Sequence, residues 1–588
     1  MKKAYRFLLT ILMAASVLPS CGNLLDPEPF GYVDIDLVWT KYNYTKSYLD
    51  LVTSSEWGGG FSYANYCDEG QNVRDRSTST YYDWYSKDFV ADEFPLKLDY
   101  AGLYSDIRTC NFFLENYQKI NYLGLDQEEL EYWIAKCHVY RAWDHLTLMK
   151  YLGHAVIMDE FYSLTHDFTQ DHMATTEELA DYIIKELDTA LETPECESSV
   201  NGFRWQLGAN DQGVVNRGFA WVLKARTALY AASPLYYEEG SKYTWDYAYE
   251  ICAEALHQLM IHNHQLFDIN PDQSEAQNAY EYYHIYPSGD FARTVDQETI
   301  LSKVYTLNMW QQNGLPITEG QVNCGVCPTQ EFVDSFETID GEPILNLEKP
   351  YLDDQHLVPN YNKNNKLYDP ENPYENRDPR FYATVYYNGC YRYPDKAEKL
   401  QVWTYDGGNC AISESPILVS NTRTGYYLRK YNHPQSNENQ TLDGRVQPAR
   451  LAEMYLNLAE AACEAGHLDE AIEAVNTVRH RAGMPNLPET LTQDQLRLRI
   501  RNERRVELCF ENIRFFDVRR WKIIDQTEEQ MTGMRITKNS DGTFKYERFA
   551  FDKRVNKGDD KYLLFPFDEA EIEKLKTTLG QDYQNPGW

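Results

Sequence analysis

The stretch that most constrains the fold spans residues 449–521, where three helical patterns follow one another with only short breaks. Apolar residues recur at helical spacing over residues 451–462, and a second apolar stripe covers residues 471–482. Gly466 separates the two stripes, in a place where a helix commonly ends. Two helices joined by a short glycine-containing turn are typical of a tetratricopeptide repeat unit. The sequence therefore predicts a helical hairpin here.

The third pattern is a helix that carries the densest charge in the chain. Thr492 and Gln495 form a capping box, which satisfies free amides at a helix N-terminus. Glu503, Glu507 and Glu511 follow at intervals of four residues, so their Cβ atoms lie about 5–6 Å apart. That spacing resembles the ~5–5.5 Å between the two carboxyl groups of a retaining glycosidase. A catalytic pair is therefore one interpretation.

Structural ion pairs are the interpretation that we favour for these three glutamates. A glycosidase holds its two carboxyl groups on either side of the bond it cleaves, whereas neighbours on one helix face point the same way. Arginines are interleaved with the glutamates and continue to Arg520, and adjacent positive charge keeps a carboxyl group ionised. A general acid needs a raised pKa instead. We expect ion pairs that fix the C-terminal segment to the helical scaffold.

The same segment resembles a known family. The string ER-x-x-EL-x-FE-x-x-R-x-x-D-x-RRW, at residues 503–521, is similar to a motif of the SusD/RagB family of outer-membrane glycan-capture lipoproteins. The resemblance continues along the chain and is weakest in the aromatic loops. Shorter pieces that resemble the family are Glu298-Thr299-Ile300-Leu301, residues 328–334, residues 376–380 and the closing Asn585-Pro586-Gly587-Trp588.

Other parts of the chain predict the same mainly α, SusD-like architecture. With the hairpin, further helical patterns give about four helix pairs in a tetratricopeptide-like scaffold, two or three in the first half and one near the end. Residues 262–448 lack helical periodicity, which predicts a loop-rich, irregular second part with short strands. We expect an N-terminal region over residues 31–270 and a C-terminal region over residues 271–588. The further helical patterns cover residues 104–114, 130–143, 176–191, 215–230 and 245–256.

Residues 1–20 are typical of a signal peptide, with a basic start and an apolar run that is too short to span a bilayer. The sequence Leu18-Pro19-Ser20-Cys21 resembles a bacterial lipobox. This implies lipid attachment at Cys21, and the resemblance to the SusD/RagB family implies a surface-exposed position on the outer membrane. Ordinary secretion with an incidental Cys21 is the alternative. Residues 21–30 contain two prolines and are interpreted as a tether.

Charge and cysteine content argue against several classes of function. The formal net charge is −34, whereas a nucleic-acid-binding protein needs a basic footprint on its surface. The 12 cysteines are sparse over 588 residues, and only Cys324 and Cys327 stand close together. Without a second pair or histidines at ligand spacing, we favour a local disulfide or two core thiols over a zinc site. We expect no metal and no cofactor.

Aromatic residues make up 14% of the chain, with 47 Tyr and 12 Trp, more than a hydrophobic core requires. A glycan site needs ring faces for the C–H groups of a sugar and polar side chains for its hydroxyls. The resemblance implies such a site between an early loop, residues 57–85, and the region around Glu298. For any single ring, packing in the core is the alternative. The candidates are Trp57, Tyr63, Arg74, Arg76, Tyr81, Tyr82 and Trp84 in the early loop, and Tyr282, Tyr283, Tyr286, Asn308 and Trp310 in the later region.

The resemblance implies a cell-surface lipoprotein that captures an oligosaccharide or polysaccharide and delivers it to a SusC-like TonB-dependent transporter without cleaving a bond. A curved helical scaffold presents an extended concave surface that is suited to binding such a partner. We expect no enzyme activity, because no Ser/His/Asp arrangement, phosphate-binding glycine loop or histidine-based metal motif occurs in the sequence. The alternatives are a secreted glycoside hydrolase, a peptide-binding member of the same family and a structural lid without a ligand.

Overall fold

A computed structural model of the protein describes residues 35–52, 62–76, 79–163, 165–196, 202–206, 213–269, 278–285, 296–305, 312–317, 323–392, 400–433, 436, 444–528, 530–551 and 557–588. Helices dominate these residues, which confirms the mainly α prediction. The helices are α1 (Tyr42–Leu49), α2 (Thr80–Ser86), α3 (Tyr100–Asn116), α4 (Gln127–Leu152), α5 (Thr176–Leu191), α6 (Arg217–Ala232), α7 (Trp245–Ile261), α8 (Ala279–Ile285), α9 (Gln330–Asp334), α10 (Pro379–Thr384), α11 (Leu451–Ala465), α12 (Leu468–Arg481), α13 (Gln493–Glu507), α14 (Arg514–Arg520), α15 (Ile524–Thr527) and α16 (Glu569–Leu579). The strands are β1 (Gly70–Asn72), β2 (Ala155–Val156), β3 (Met173–Ala174), β4 (Thr299–Tyr305), β5 (Val326–Pro328), β6 (Val385–Tyr386), β7 (Tyr427–Leu428), β8 (Gly444–Arg450), β9 (Thr532–Lys538) and β10 (Phe544–Ala550).

The long helices of the first half begin at side-chain caps. The backbone N–H of Glu178 donates to the hydroxyl of Thr175, and the N–H of Thr175 donates to the Glu178 carboxylate, which completes a capping box at the start of α5. Asn216 and Thr244 cap α6 and α7 with single hydrogen bonds. Gly153 ends α4 in the left-handed region, at φ +78°, which glycine adopts without strain. Local chemistry thus sets where these helices begin and end.

The predicted hairpin is present near the C-terminus. α11 ends at Gly466, whose φ of +89° turns the chain into α12 after a single further residue. Thr492 and Gln495 form the predicted capping box at the start of α13. The sequence pattern therefore locates all three helices of this segment.

Helices from both halves of the chain form one stack. α3 packs on α4, α4 on α5, α5 on α6 and α6 on α7, and α7 then packs on α11, which lies far away in sequence. α11 also contacts α12 and α13. Ala459, Ala461 and Ala471 are fully buried, and such small side chains let helices approach closely. The stack confirms the predicted tetratricopeptide-like scaffold assembled from sequence-distant helices.

The predicted short strands of the loop-rich second part are β4, β5, β6, β7 and β8. The described residues form five antiparallel strand pairs, which are β1 with β5, β2 with β3, β4 with β8, β6 with β7 and β9 with β10. β8 leads directly into α11, so the pairing of β4 with β8 places the later loop region beside the helical stack.

The predicted signal peptide, Cys21 and the tether lie outside the described residues. Within the described ranges, no helix combines the length and apolar character that are needed to cross a bilayer. The division near residue 270 stays a prediction. The packing of α7 on α11 joins the two expected regions through shared contacts.

Candidate functional site

Arg450, the last residue of β8, lies at the centre of a buried ion-pair network. Its Nη1 is 2.8 Å from Glu298 Oε1 and 2.8 Å from Glu507 Oε1, and its Nε is 2.8 Å from Glu511 Oε2. Arg481, the last residue of α12, holds the second oxygen of Glu298 at 2.8 Å. The network therefore connects the start of β4, the end of β8, α12 and the end of α13.

A second group of ion pairs surrounds Glu503, one turn earlier on α13. Arg380 Nη1 lies 2.6 Å from Glu503 and 3.0 Å from Glu507, and Arg479 bridges Glu503 and Glu337 at 2.9 Å each. Burial alone would raise the pKa of Glu503 and Glu507, but the adjacent arginines outweigh it and hold both pKa values below their usual range. These glutamates stay ionised inside the protein, as the interpretation of structural ion pairs predicts.

The base of the early loop is also held by buried charges. Asp68 accepts hydrogen bonds from Arg514 Nε and Nη2 at 2.9 Å each, and Arg505 Nη2 lies 2.7 Å from Asp68 Oδ2. Glu69 is buried and accepts a hydrogen bond of 3.1 Å from the N–H of Phe510. Burial raises the pKa of Glu69 to about 8. The early loop is thus fixed to α13, to α14 and to the turn between them.

We expect Glu69→Gln to raise the free energy of unfolding by roughly 1–3 kcal/mol at about pH 8 and to change it little near pH 4. The fold raises the pKa of Glu69 from 4.5 to about 8. The stability that its neutral carboxyl group contributes is therefore complete below about pH 4.5 and is lost as the pH rises to about 8. Glutamine keeps an acceptor for the N–H of Phe510 and cannot ionise. Urea unfolding of both proteins at about pH 4, 6 and 8 measures the effect, and a difference that is the same at all three pH values would contradict it.

Two of the predicted early-loop rings pack in or against the core. Trp84 is 1% exposed, because it lies on the inner face of the seven-residue helix α2. It contacts Phe89, Phe94 and Tyr562 at ring-centroid distances of 6.1–6.2 Å. The ring centroid of Tyr63 lies 4.9 Å from that of Phe515. Both rings therefore serve packing, which was the alternative for each of them.

Two predicted rings of the later region are buried as well. Tyr282 and Tyr283, on α8, pack beside Phe267 in a small apolar cluster. The hydroxyl of Tyr283 lies 2.7 Å from that of Thr299, at the start of β4. These side chains support the fold next to the ion-pair network and leave no ring face for a ligand. Of the other candidates, Trp57, Tyr286, Asn308 and Trp310 lie outside the described residues.

The remaining early-loop candidates lie at the surface. Tyr82 is 37% exposed on α2, and Tyr81 is half-buried with its ring stacked on that of Tyr66 at 5.5 Å. Arg74 is exposed in the turn that follows β1. Arg76 is exposed too, and its guanidinium forms an ion pair with Glu414. Two tyrosines and two arginines of the predicted site therefore lie at or near the surface, in the segment from residue 74 to residue 82.

Glu414 connects this segment to the C-terminal hairpin. Arg535, on β9, lies 2.8 Å from Glu414, whose other oxygen pairs with Arg76. The residues just before Arg76 are held as well, because Arg423 Nε is 3.0 Å from Asp75 and donates to the carbonyl of Val73. These contacts hold the tip of the early loop against the loop around residue 414.

Cys324 and Cys327 are buried free thiols with their Sγ atoms 3.4 Å apart. Cys327 belongs to β5, opposite Gln71 of β1, so the pair lies under the early loop. No group of three or more His, Cys, Asp or Glu side chains in the described part of the chain is arranged to hold a metal ion. The thiols therefore form part of the apolar packing around β5.

Comparison with known proteins assigns the family. The sequence model of the SusD family matches residues 266–588. The chain belongs to the SusD family. A SusD-like protein of Formosa agariphila is 40% identical over 84 residues, which are 13% of this chain and 17% of that protein, so the chain spans less than a fifth of this relative's length.

Solved structures of similar fold cover 91–95% of this SusD-family chain. A SusD-like protein from Bacteroides fragilis shares 23% identity and a TM-score of 0.73, over 95% of this chain and 99% of that one. A SusD-like carbohydrate binding protein from the same species shares 20% identity and a TM-score of 0.65, over 91% and 99%. Surface glycan-binding protein A from Bacteroides uniformis shares 16% identity and a TM-score of 0.55, over 92% and 100%. At these identities the similarity establishes the fold.

The structure of this SusD-family protein also reveals a ring cluster that the sequence analysis did not single out. The ring centroids of Trp403, Tyr405 and Phe544 lie 5.6–5.7 Å apart, and Lys538 Nζ is 5.4–6.0 Å from all three. All three rings are half-buried. The Asp-Gly turn before Phe544, between two alternating strands, is the sequence signal that would have predicted the hairpin.

Proposed function

We propose that this protein is a surface-exposed outer-membrane lipoprotein that captures an oligosaccharide or polysaccharide and delivers it to a SusC-like TonB-dependent transporter, without cleaving a bond. Membership of the SusD family supports this role, and two structures of similar fold are named for carbohydrate or glycan binding. The lipobox-like sequence that ends at Cys21 supports attachment to outer-membrane lipid.

The observation that carries the proposal is the contrast between the base and the tip of the early loop. Asp68 and Glu69 are buried and fixed, whereas Arg74 and Tyr82 are exposed nearby in the chain. An exposed ring offers a face for the C–H groups of a sugar, and a guanidinium offers several N–H donors for its hydroxyls. Because the base is rigid, little conformational entropy is lost when such a surface binds a ligand.

The state of the carboxylates supports binding without cleavage. Glu503 and Glu507 are buried and paired with arginines, and their pKa values are lowered. A glycoside hydrolase needs one carboxylic acid with a raised pKa and a second carboxylate across the scissile bond. The glutamate series of α13 therefore favours a structural role over hydrolysis.

We expect Tyr82→Ala and Arg74→Ala each to weaken glycan binding about fivefold to tenfold, because each change removes one exposed contact. The ligand is first identified by applying the chain without residues 1–21 to a glycan array. Titration calorimetry with that glycan then measures the dissociation constant of each variant. Tyr237→Ala is a matched control, since Tyr237 is 40% exposed and lies on a different part of the chain.

The same preparation separates the proposal from its alternatives. Release of shorter sugars from the glycan during incubation would establish a glycoside hydrolase and contradict the proposal. Binding of peptides in place of glycans would assign a peptide ligand. If no glycan binds, a structural lid without a ligand is the better explanation.

A further inference from the structure

A cavity of about 890 Å³ lies on the C-terminal part of the protein. Its walls come from the start of α8, from α10 and β6, from the turn that follows β6, and from the end of α12. Ligand pockets in proteins have volumes of about 300–1,000 Å³, so this cavity has the size of a binding site.

The cavity is distinct from the tip of the early loop. None of the residues that line it belongs to the early loop. β1 of the early loop pairs with β5, β5 contacts β7, and β7 pairs with β6. Two strands therefore separate the early loop from the cavity wall at β6.

Three tyrosines provide ring surface in the cavity. Tyr391 is 40% exposed, and Tyr382 and Tyr387 are half-buried. The ring of Tyr387 is held by Tyr374 and Phe381, with centroid distances of 4.8 Å and 5.1 Å. Rings fixed in this manner lose little side-chain entropy when a ligand stacks on them.

Two of the three guanidinium groups in the cavity wall are committed to neighbouring acids, whereas that of Arg377 donates to backbone carbonyls. Arg429 forms an ion pair with Glu281, and Arg481 pairs with Glu298 and Glu507. A negatively charged ligand would have to compete with these buried carboxylates, so the wall does not favour anions. A neutral ligand meets no such competition.

The other polar groups of the wall suit hydroxyl groups. Asn278 and Asn376 line the cavity and carry amides that both donate and accept hydrogen bonds. Arg377 and Arg481 also line it, but the Nε of each is buried out of reach of a ligand in the cavity. Apolar Ile339 completes the rim and is 40% exposed.

We propose that this cavity is a second carbohydrate site, which binds a short neutral oligosaccharide by stacking on tyrosine rings and by hydrogen bonds to amides. The choice of ligand class rests on the proposed function, whereas the location rests on the cavity itself. A second site would let one molecule hold a long glycan at two points, which raises the overall affinity through effective concentration.

Titration calorimetry with the chain without residues 1–21 and a short oligosaccharide of the glycan identified on the array tests the second site. We expect a stoichiometry near two for the unchanged protein. Tyr391→Ala should weaken one of the two sites about tenfold, and Ile339→Trp should change the affinity of the same site, because the larger side chain occupies part of its rim. Tyr237→Ala is the matched control, because Tyr237 has the same 40% exposure as Tyr391 and lies away from the cavity.

The possible outcomes separate this inference from the proposed function. One site that is weakened by Tyr82→Ala and unchanged by Tyr391→Ala and Ile339→Trp would overturn the second site and leave the proposed function in place. No glycan binding to any form of the protein would overturn both. Two sites, of which only one responds to Tyr391→Ala and Ile339→Trp, are the result that we expect.

Discussion

Replacing Arg450 by alanine is expected to lower the free energy of unfolding by about 3–5 kcal/mol. Arg450 is buried and contacts the carboxylates of Glu298, Glu507 and Glu511. Without it, buried negative charges lose a shared partner, and an uncompensated buried charge is strongly destabilising. Urea unfolding followed by tryptophan fluorescence gives the change in the free energy of unfolding.

An exposed ion pair provides the matched control for this prediction. Lys46 and Asp50 are a pair with 51% and 55% side-chain exposure. Exposed pairs contribute about 0–1 kcal/mol, so Lys46→Ala should lower stability by less than about 0.5 kcal/mol. If Arg450→Ala changes stability no more than Lys46→Ala does, then the network is not what holds β8 and α13 together.

We expect Trp84→Ala to lower the free energy of unfolding by about 3–5 kcal/mol, because it removes a large buried side chain and leaves a cavity. Trp84 packs against Phe89, Phe94 and Tyr562, so the change also loosens the contact between the early loop and the C-terminal segment. Trp84→Phe keeps much of the volume and should cost less. Urea unfolding of both variants measures the difference.

Tyr82→Ala is the control for Trp84, because both residues lie on α2 and Tyr82 is 37% exposed. This surface change should alter stability by less than about 0.5 kcal/mol. Full stability of Trp84→Ala together with a loss of glycan affinity would show that Trp84 faces a ligand instead of the core.

The sequence predicted the helical frame because its signals are local. Apolar periodicity and the glycine at residue 466 define α11 and α12, and the capping box at Thr492 defines the start of α13. The ionised state of Glu503 and Glu507 was predicted in the same way, from arginines in the same segment. Their partners Arg380, Arg450 and Arg481 come from α10, β8 and α12, outside the helix that carries the glutamates, and no local pattern reports such contacts.

The sequence could not separate the rings of the early loop into buried and exposed ones. α2 is only seven residues long, so its periodicity covers two turns and does not reveal which face is inside. Trp84 faces the core and Tyr82 faces solvent on the same short helix. Burial there depends on Phe89, Phe94 and Tyr562, and Tyr562 lies close to the other end of the chain. The cavity beside β6 was equally hidden, since its walls come from segments far apart in sequence.

The packing of α7 on α11 and the pairing of β4 with β8 determine the order in which parts of the protein can fold. α3 to α7 come before α11 in the chain, so the part of α7 that α11 covers stays exposed until α11 is available to fold against it. Contacts between such distant segments form slowly, and an uncovered apolar face invites aggregation in the meantime. Nascent chains that stop anywhere before α11 should therefore engage holdase chaperones and should be degraded rapidly.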